Sequence, residues 1–254
     1  SPQPTAAHWR AEGRPLAGAL PARFARRQLD ALLARGGRLP SVVTEPRVLG
    51  TMALADHIIR HGPAGDIVET GVFTGGTAIA MLAVLEARAA RTTRLWAADS
   101  FRGLPEVVHA DASCAERTVG GISSNECVRH KQPGDFSAGR ALVERNIARH
   151  SVERHRLRVV EGWFNETLPT PGMRRAGIAM IRLDGDLYAS TRDALAALYP
   201  LLRRGGLVYV DDYGSFPGCA RAIDEYRNAH GISAKLHSID EGNGRFEAVY
   251  WQKR

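Results

Sequence analysis

The chain has 254 residues, 44% hydrophobic and 24% charged, enough for one large domain around a well-buried core. Its net charge is +7 and its pI about 9.8, but the excess base is almost all scattered arginine, the only lysines being Lys131, Lys235 and Lys253. That pattern has neither the dense basic block nor the aromatic interleaving of a nucleic-acid surface, and no run approaches the roughly 18 apolar residues of a membrane span.

The N-terminal stretch Ser1–Arg14 lacks the apolar core of a signal peptide and reads as an arm. Apolar residues at helical spacing predict a helix over Arg23–Arg35 and another over Glu45–His61, stopped by Gly62-Pro63. The pattern then changes. Asp66–Thr70 reads as a strand, Gly75–Ala90 as a helix and Arg94–Asp99 as a second strand, a βαβ unit with a parallel pair. Phe101–Gly134 is polar and loop-like, of a length that is usually functional, and residues 101–135 are read as a lid. A helix over Phe136–Arg149 and strands over Arg156–Glu161 and Ile178–Leu183 follow. Next come a helix over Thr191–Leu202 stopped at Gly205-Gly206, a strand over Leu207–Val210 and a helix over Pro217–His230. Two strands near Ala234–Ile239 and Phe246–Trp251 flank a hairpin turn at Glu241–Gly244. The alternation predicts a doubly wound, Rossmann-like α/β domain over 63–254, mainly parallel with a C-terminal antiparallel hairpin. Residues 1–62 add helices that cap the site or make oligomer contacts. Cys114, Cys127 and Cys219 have no C-x-x-C spacing, so reduced thiols and a cytoplasmic location are expected.

Two acidic clusters end apolar runs: Asp184-Gly-Asp186 after Ile178–Leu183, and Asp211-Asp212 after Leu207–Val210. Carboxylates at the C-terminal tips of buried strands stand where open α/β sheets bind ligands, and four of them can surround a hard cation. Such an ion would acidify a substrate hydroxyl, which makes an enzyme the leading reading. Residues i and i+2 of a strand share a face, so Asp184 and Asp186 can both reach an ion, whereas Asp211 and Asp212 point oppositely unless the strand ends there. Asp212 or Asp186 can instead cap a helix.

The first strand ends in Val68-Glu69-Thr70-Gly71-Val72-Phe73-Thr74-Gly75-Gly76. Phe73 stands where a dinucleotide loop has its middle glycine and would crowd a pyrophosphate, which argues against NAD. S-adenosylmethionine (SAM), which has no phosphates, suits the loop. Glu69 can accept from its amino group, directly or through water, with the backbone of Thr70, Gly71 and Gly75 alongside. Asp99, at the end of the second strand, suits two ribose hydroxyls. Either acid alone would equally cap a helix.

At these residues the chain resembles the macrocin O-methyltransferase family of antibiotic-sugar methyltransferases. The matching segments are Glu69–Gly76, Asp99–Pro105, Gly162-Trp-Phe164, Leu183–Asp186 with Tyr188, Asp211–Tyr213 and Cys219–Ile232. The resemblance implies a class I SAM methyltransferase fold, Mg²⁺, a sugar hydroxyl as acceptor and a homo-oligomer. Carried over residue by residue, it implies Asp184, Asp211 and Asp212 as metal ligands, Asp184 also facing the cofactor, and Asp186 as general base. It places Asp99 and Ser100 at the ribose, Gly162, Trp163 and Phe164 at the adenine, and Thr51 and Met52 over the aminoacid end. Catechol-type metal-dependent methyltransferases, the alternative, carry a lysine base where this chain has Leu187, which favours an aspartate base and a non-phenolic acceptor. His109 and His130 are read as loop histidines, and Tyr188 and Tyr213 either line the pocket or pack beneath it.

Overall fold

The computed structural model describes residues 22–112, 116–124, 131–150 and 152–254. The expected N-terminal arm and Cys114, Cys127 and His130 lie outside them. No helix among the described residues is long and apolar enough to cross a membrane.

Helix α1 (Ala22–Gly36) and helix α2 (Glu45–His61) precede strand β1 (Asp66–Thr70). Pro46 stands in the first turn of α2, where its missing N–H costs nothing, and Gly62 closes the helix by donating to the Ile58 carbonyl. Helix α3 (Gly76–Ala87) leads to β2 (Leu95–Asp99); a short hairpin, β3 (Thr118–Val119) and β4 (Ile122–Ser124), precedes α4 (Arg140–Arg149) and β5 (Leu157–Glu161). Two short helices, α5 (Phe164–Thr167) and α6 (Pro171–Ala176), lead to β6 (Ile178–Leu183), α7 (Tyr188–Leu198), β7 (Leu202–Val210), α8 (Pro217–Ala229), β8 (His237–Asp240) and β9 (Arg245–Gln252).

The sheet runs β3-β4-β9-β7-β6-β1-β2-β5, with β8 paired to β9. Strands β5, β2, β1, β6 and β7 are parallel, and β9 is antiparallel to both β7 and β8. The chain leaves β1 toward β2 on one side and meets β6 on the other, so a crevice opens beyond the carboxyl ends of these strands. Side chains alternate between two cores. Ile67, Met180, Leu207 and Tyr209 pack with α1, α2 and α3, while Val68, Ile181, Val208 and Val210 pack with α7 and α8. Helix α2 is buried almost throughout, from Arg47 to Ile58.

Three expectations are corrected. The helix expected over Thr191–Leu202 starts earlier and ends at Leu198, and the strand expected from Leu207 begins at Leu202. Gly205-Gly206 is therefore inside β7 and not a helix stop: Gly205 N donates to the Lys253 carbonyl and Lys253 N to the Gly206 carbonyl. A Cβ on Gly206 would lie 2.8 Å from the Ala179 carbonyl oxygen and 2.7 Å from Leu202 Cδ1, so packing accounts for this glycine. The segment read as a plain loop holds a one-turn 3-10 helix at His109–Asp111 and the β3–β4 hairpin, and β4 extends the sheet by pairing parallel to β9.

Candidate active site

A cavity of about 480 Å³ lies beyond the ends of β1, β2, β6 and β7. Glycine makes its floor possible. Gly71 has φ +82°, and a Cβ there would lie 1.6 Å from the Asp184 carbonyl oxygen, so only a bare Cα lets β1 and β6 close at this point. Phe73, Phe101 and Asp186 line or border the cavity with φ near +49°, +55° and +57°, a conformation that non-glycine residues adopt at a cost of about 1–3 kcal/mol. Asp99 holds two of them: Oδ2 accepts from Val72 N (2.7 Å) and Phe73 N (3.1 Å), and Oδ1 from Phe101 N (2.7 Å). Its carboxylate thus shapes the loop in addition to facing the cavity.

The period of the strands sorts the charges. Glu69, Arg182, Asp184 and Asp211 fall on the face covered by α2. Arg182, fully buried, pairs with Asp184 (2.5 Å), Asp211 (2.7 Å) and Glu69 (3.4 Å). Arg47 of α2 reaches the other oxygen of Asp211 (2.6 Å) and also Glu247 of β9 (2.9 Å). Beyond the strands, one carboxylate oxygen each from Asp184, Asp186 and Asp212 lie within 4.8 Å of one another. Asp186 N donates to Asp212 Oδ2 at 3.1 Å. The structure thus brings together Asp184, Asp186 and Asp212, while Asp211 turns the other way into the arginine pair, because successive residues alternate faces and Asp211 N still donates to the Leu183 carbonyl as a ladder residue.

The electrostatics follow from this crowding. Burial and the charge of Asp184 push the Asp186 carboxyl up to about 8, burial pushes Asp184 up to about 6 against the pull of Arg182, and burial with Asp186 drives Asp212 well above the carboxylate range. Oxygen-only donors, close and mutually repelling, are what a hard divalent cation fits. Burial also raises Glu69 to about 7; Thr77 donates to its Oε1 at 2.5 Å, and its Oε2 has no partner.

Of the expected cofactor residues, Gly71, Asp99, Ser100, Trp163, Phe164 and Asp184 line the cavity. Thr51, Met52, Glu69 and Thr70 are fully or almost fully buried and stand behind its wall; Glu69 meets it through Thr77. Gly75 (φ +90°) and Gly162 (φ +135°) make the turns that set the walls and do not themselves line the cavity.

The family model described as "Macrocin-O-methyltransferase (TylF)" matches residues 40–253. The chain belongs to the TylF macrocin-O-methyltransferase family. It is 37% identical over 196 residues to the mycinamicin III 3''-O-methyltransferase of Micromonospora griseorubida, covering 77% of this chain and 71% of that protein. It is 40% identical over 195 residues to a tetracenomycin-C 4'-O-methyltransferase of Streptomyces olivaceus acting on a dimethoxyrhamnosyl compound, covering 77% and 68%. Among solved structures, the O-methyltransferase NovP is similar with a TM-score of 0.73 and 30% identity, covering 91% of this chain and 98% of NovP. The calicheamicin methyltransferase CalS11 shares the fold, with a TM-score of 0.66, 21% identity and coverage of 99% and 98%. This TylF-family chain is thus an O-methyltransferase with the class I SAM O-methyltransferase fold.

Sequence reasoning gave no role to several residues of this TylF-family site. Arg182 was visible as a charge inside an apolar strand, which demands a buried counter-ion. Arg47, Glu247 and Lys131 carried no comparable signal. Lys131 lines the cavity with Nζ 4.1 Å from the centre of the Phe136 ring, and Phe136 meets Phe73 edge-on at 5.8 Å. The loop Pro40–Val43 completes the rim, with Val42 exposed. Tyr188 and Tyr213 pack beside α8: their hydroxyls donate to Glu225 (2.6 Å) and Asp224 (2.7 Å) and neither lines the cavity. His109 is exposed and likewise off the wall.

Proposed function

We propose that this O-methyltransferase moves the methyl group of SAM to a sugar hydroxyl of an antibiotic or related natural product, with Mg²⁺ bound at the acidic cluster. The observation that carries this reading is the adjacency, in one cavity, of the Asp99 loop and the carboxylates of Asp184, Asp186 and Asp212. The relatives' names support the acceptor class: one is named for a 3''-hydroxyl of mycinamicin III and one for a rhamnosyl tetracenomycin.

Asp184 and Asp212 are the ligands common to the sequence and the geometry. Asp211, the third ligand that the family pattern implies, is instead spent on Arg47 and Arg182 and stays outside the cluster. Mg²⁺ held at the cluster would supply Lewis acidity, lowering the pKa of a coordinated sugar hydroxyl. Asp186, at the cavity face and set by a left-handed turn, is the carboxylate that would take the proton of the attacking hydroxyl. Asp99 and Ser100 would hold the ribose of bound SAM and Trp163 and Phe164 would flank its adenine; all four line the cavity. Phe73 and Phe136 wall the reacting end against water. Buried Leu187, where a catechol-type enzyme has lysine, leaves the proton to a carboxylate.

Methyl transfer from labelled SAM to glycosylated acceptors, with EDTA and with Mg²⁺ restored, tests this reading. Loss with EDTA and recovery with Mg²⁺ is expected. Transfer indifferent to chelation would overturn the metal assignment.

A further inference from the structure

Asp111 lies between β2 and β3, at the end of the one-turn helix His109–Asp111. Its Oδ2 accepts from Val108 N at 3.0 Å, fastening the lid turn. Its Oδ1 accepts from Tyr188 N at 2.7 Å. Tyr188 is the first residue of α7, and its N–H is one of the amides a helix cannot satisfy internally. The same oxygen closes over Gly218, the second residue of α8, where a Cβ would lie only 1.7 Å away. One lid carboxylate therefore covers the amino ends of two helices, the electropositive ends of both dipoles. Each helix starts a few residues beyond one acidic cluster: α7 after Asp184–Asp186, α8 after Asp211-Asp212.

The turn between Asp184 and Tyr188 needs such a hold. Asp186 is left-handed, Leu187 N bends back to the Gly185 carbonyl at 2.6 Å, and Asp186 N reaches Asp212 Oδ2. We propose that Asp111 is a positioning residue that clamps the lid onto α7 and α8 and thereby fixes the turn presenting Asp186. Docking of the lid and presentation of that carboxylate are then one event. The catalytic consequence rests on Asp186 being the base; the clamp itself does not, and its test is independent of any methyl acceptor.

Residue-resolved amide exchange in the full chain tests it, with Asp111→Ala, Asp111→Asn and Gly218→Ala beside the parent. In Asp111→Ala and Gly218→Ala, the Tyr188 and Asp186 amides should exchange about tenfold faster, the size of one lost hydrogen bond. Asp111→Asn keeps a carbonyl oxygen for Tyr188 N and should restore near-parental exchange. The Gly71 and Gly75 amides, bonded to the Ala98 and Val72 carbonyls, should be unchanged in every variant. Unchanged exchange at Tyr188 and Asp186 in Asp111→Ala would overturn the proposal. So would equal acceleration at Gly71 and Gly75, which marks general loosening and no clamp.

Discussion

Single side chains in this site answer to their neighbours more than to their own chemistry. Asp186 and Asp212 share a small acidic space, whereas Asp211, one residue from Asp212, spends both oxygens on Arg47 and Arg182. Asp186→Asn should therefore cut turnover about 10²–10⁴-fold, the span of general-base catalysis, while leaving Mn²⁺ binding by electron paramagnetic resonance nearly intact. Asp212→Asn should instead lose the Mn²⁺ signal, and equal loss in both would remove the division of labour. Arg182→Met removes the guanidinium from Asp184 and Glu69 and leaves Asp211 only Arg47, and should cost about 3–5 kcal/mol in urea unfolding. Glu69 offers a pH signature. Its folded-state value of about 7 lies above the ordinary 4.5, so the native state holds that proton more tightly. Its contribution is fully favourable below about pH 4.5, is lost as the pH rises to about 7 and is flat above. Urea unfolding at pH 5 and pH 8 should show the parent losing about 2.5 kcal/mol more than Glu69→Gln across that window. At this scale the sequence shows where carboxylates gather but not where they turn. Opposite facing of Asp211 and Asp212 follows from strand period alone; the guanidinium that claims Asp211 from α2 comes from 164 residues away and leaves no local trace.

Elements with a full period and clear punctuation were legible. Helix α2 runs from Glu45 to His61 as its apolar stripe and Gly62-Pro63 foretell, and β6 ends at Leu183 where its apolar run does. Strand β7 was not, because Gly205-Gly206 reads as a stop and nothing local reveals the pairing with Lys253 that carries the strand through. Gly206→Ala should destabilise the chain by about 1–3 kcal/mol in urea, since its methyl meets Leu202 and the Ala179 carbonyl; a neutral result would show that the strand yields there. The β3–β4 hairpin escaped for a different reason: two- and three-residue strands show no period, and only their mutual pairing and the docking of β4 on β9 make them strands.

Across the whole molecule, the acidic site is bound to weaken the apo fold. Carboxylates are gathered faster than arginines neutralise them, and a cation that binds only the native state should return that stability. At a hundredfold excess over its Kd, Mg²⁺ should add about 2.7 kcal/mol and raise the thermal midpoint by several degrees, reversibly with EDTA. S-adenosylhomocysteine should give a second, additive rise, and absence of the Mg²⁺ rise at high concentration would count against an ion at the cluster. The doubly wound plan was legible because α and β patterns alternate in the sequence; the closing of the cavity was not, because its walls come from distant stretches. That distance has a consequence during synthesis. Arg47 is made early, and its acidic partners Asp211, Glu241 and Glu247 are all made late. A nascent chain on the ribosome thus carries an α2 guanidinium without these partners until β7 and then β9 emerge, so the buried arginine cluster can close only after both strands have joined the sheet.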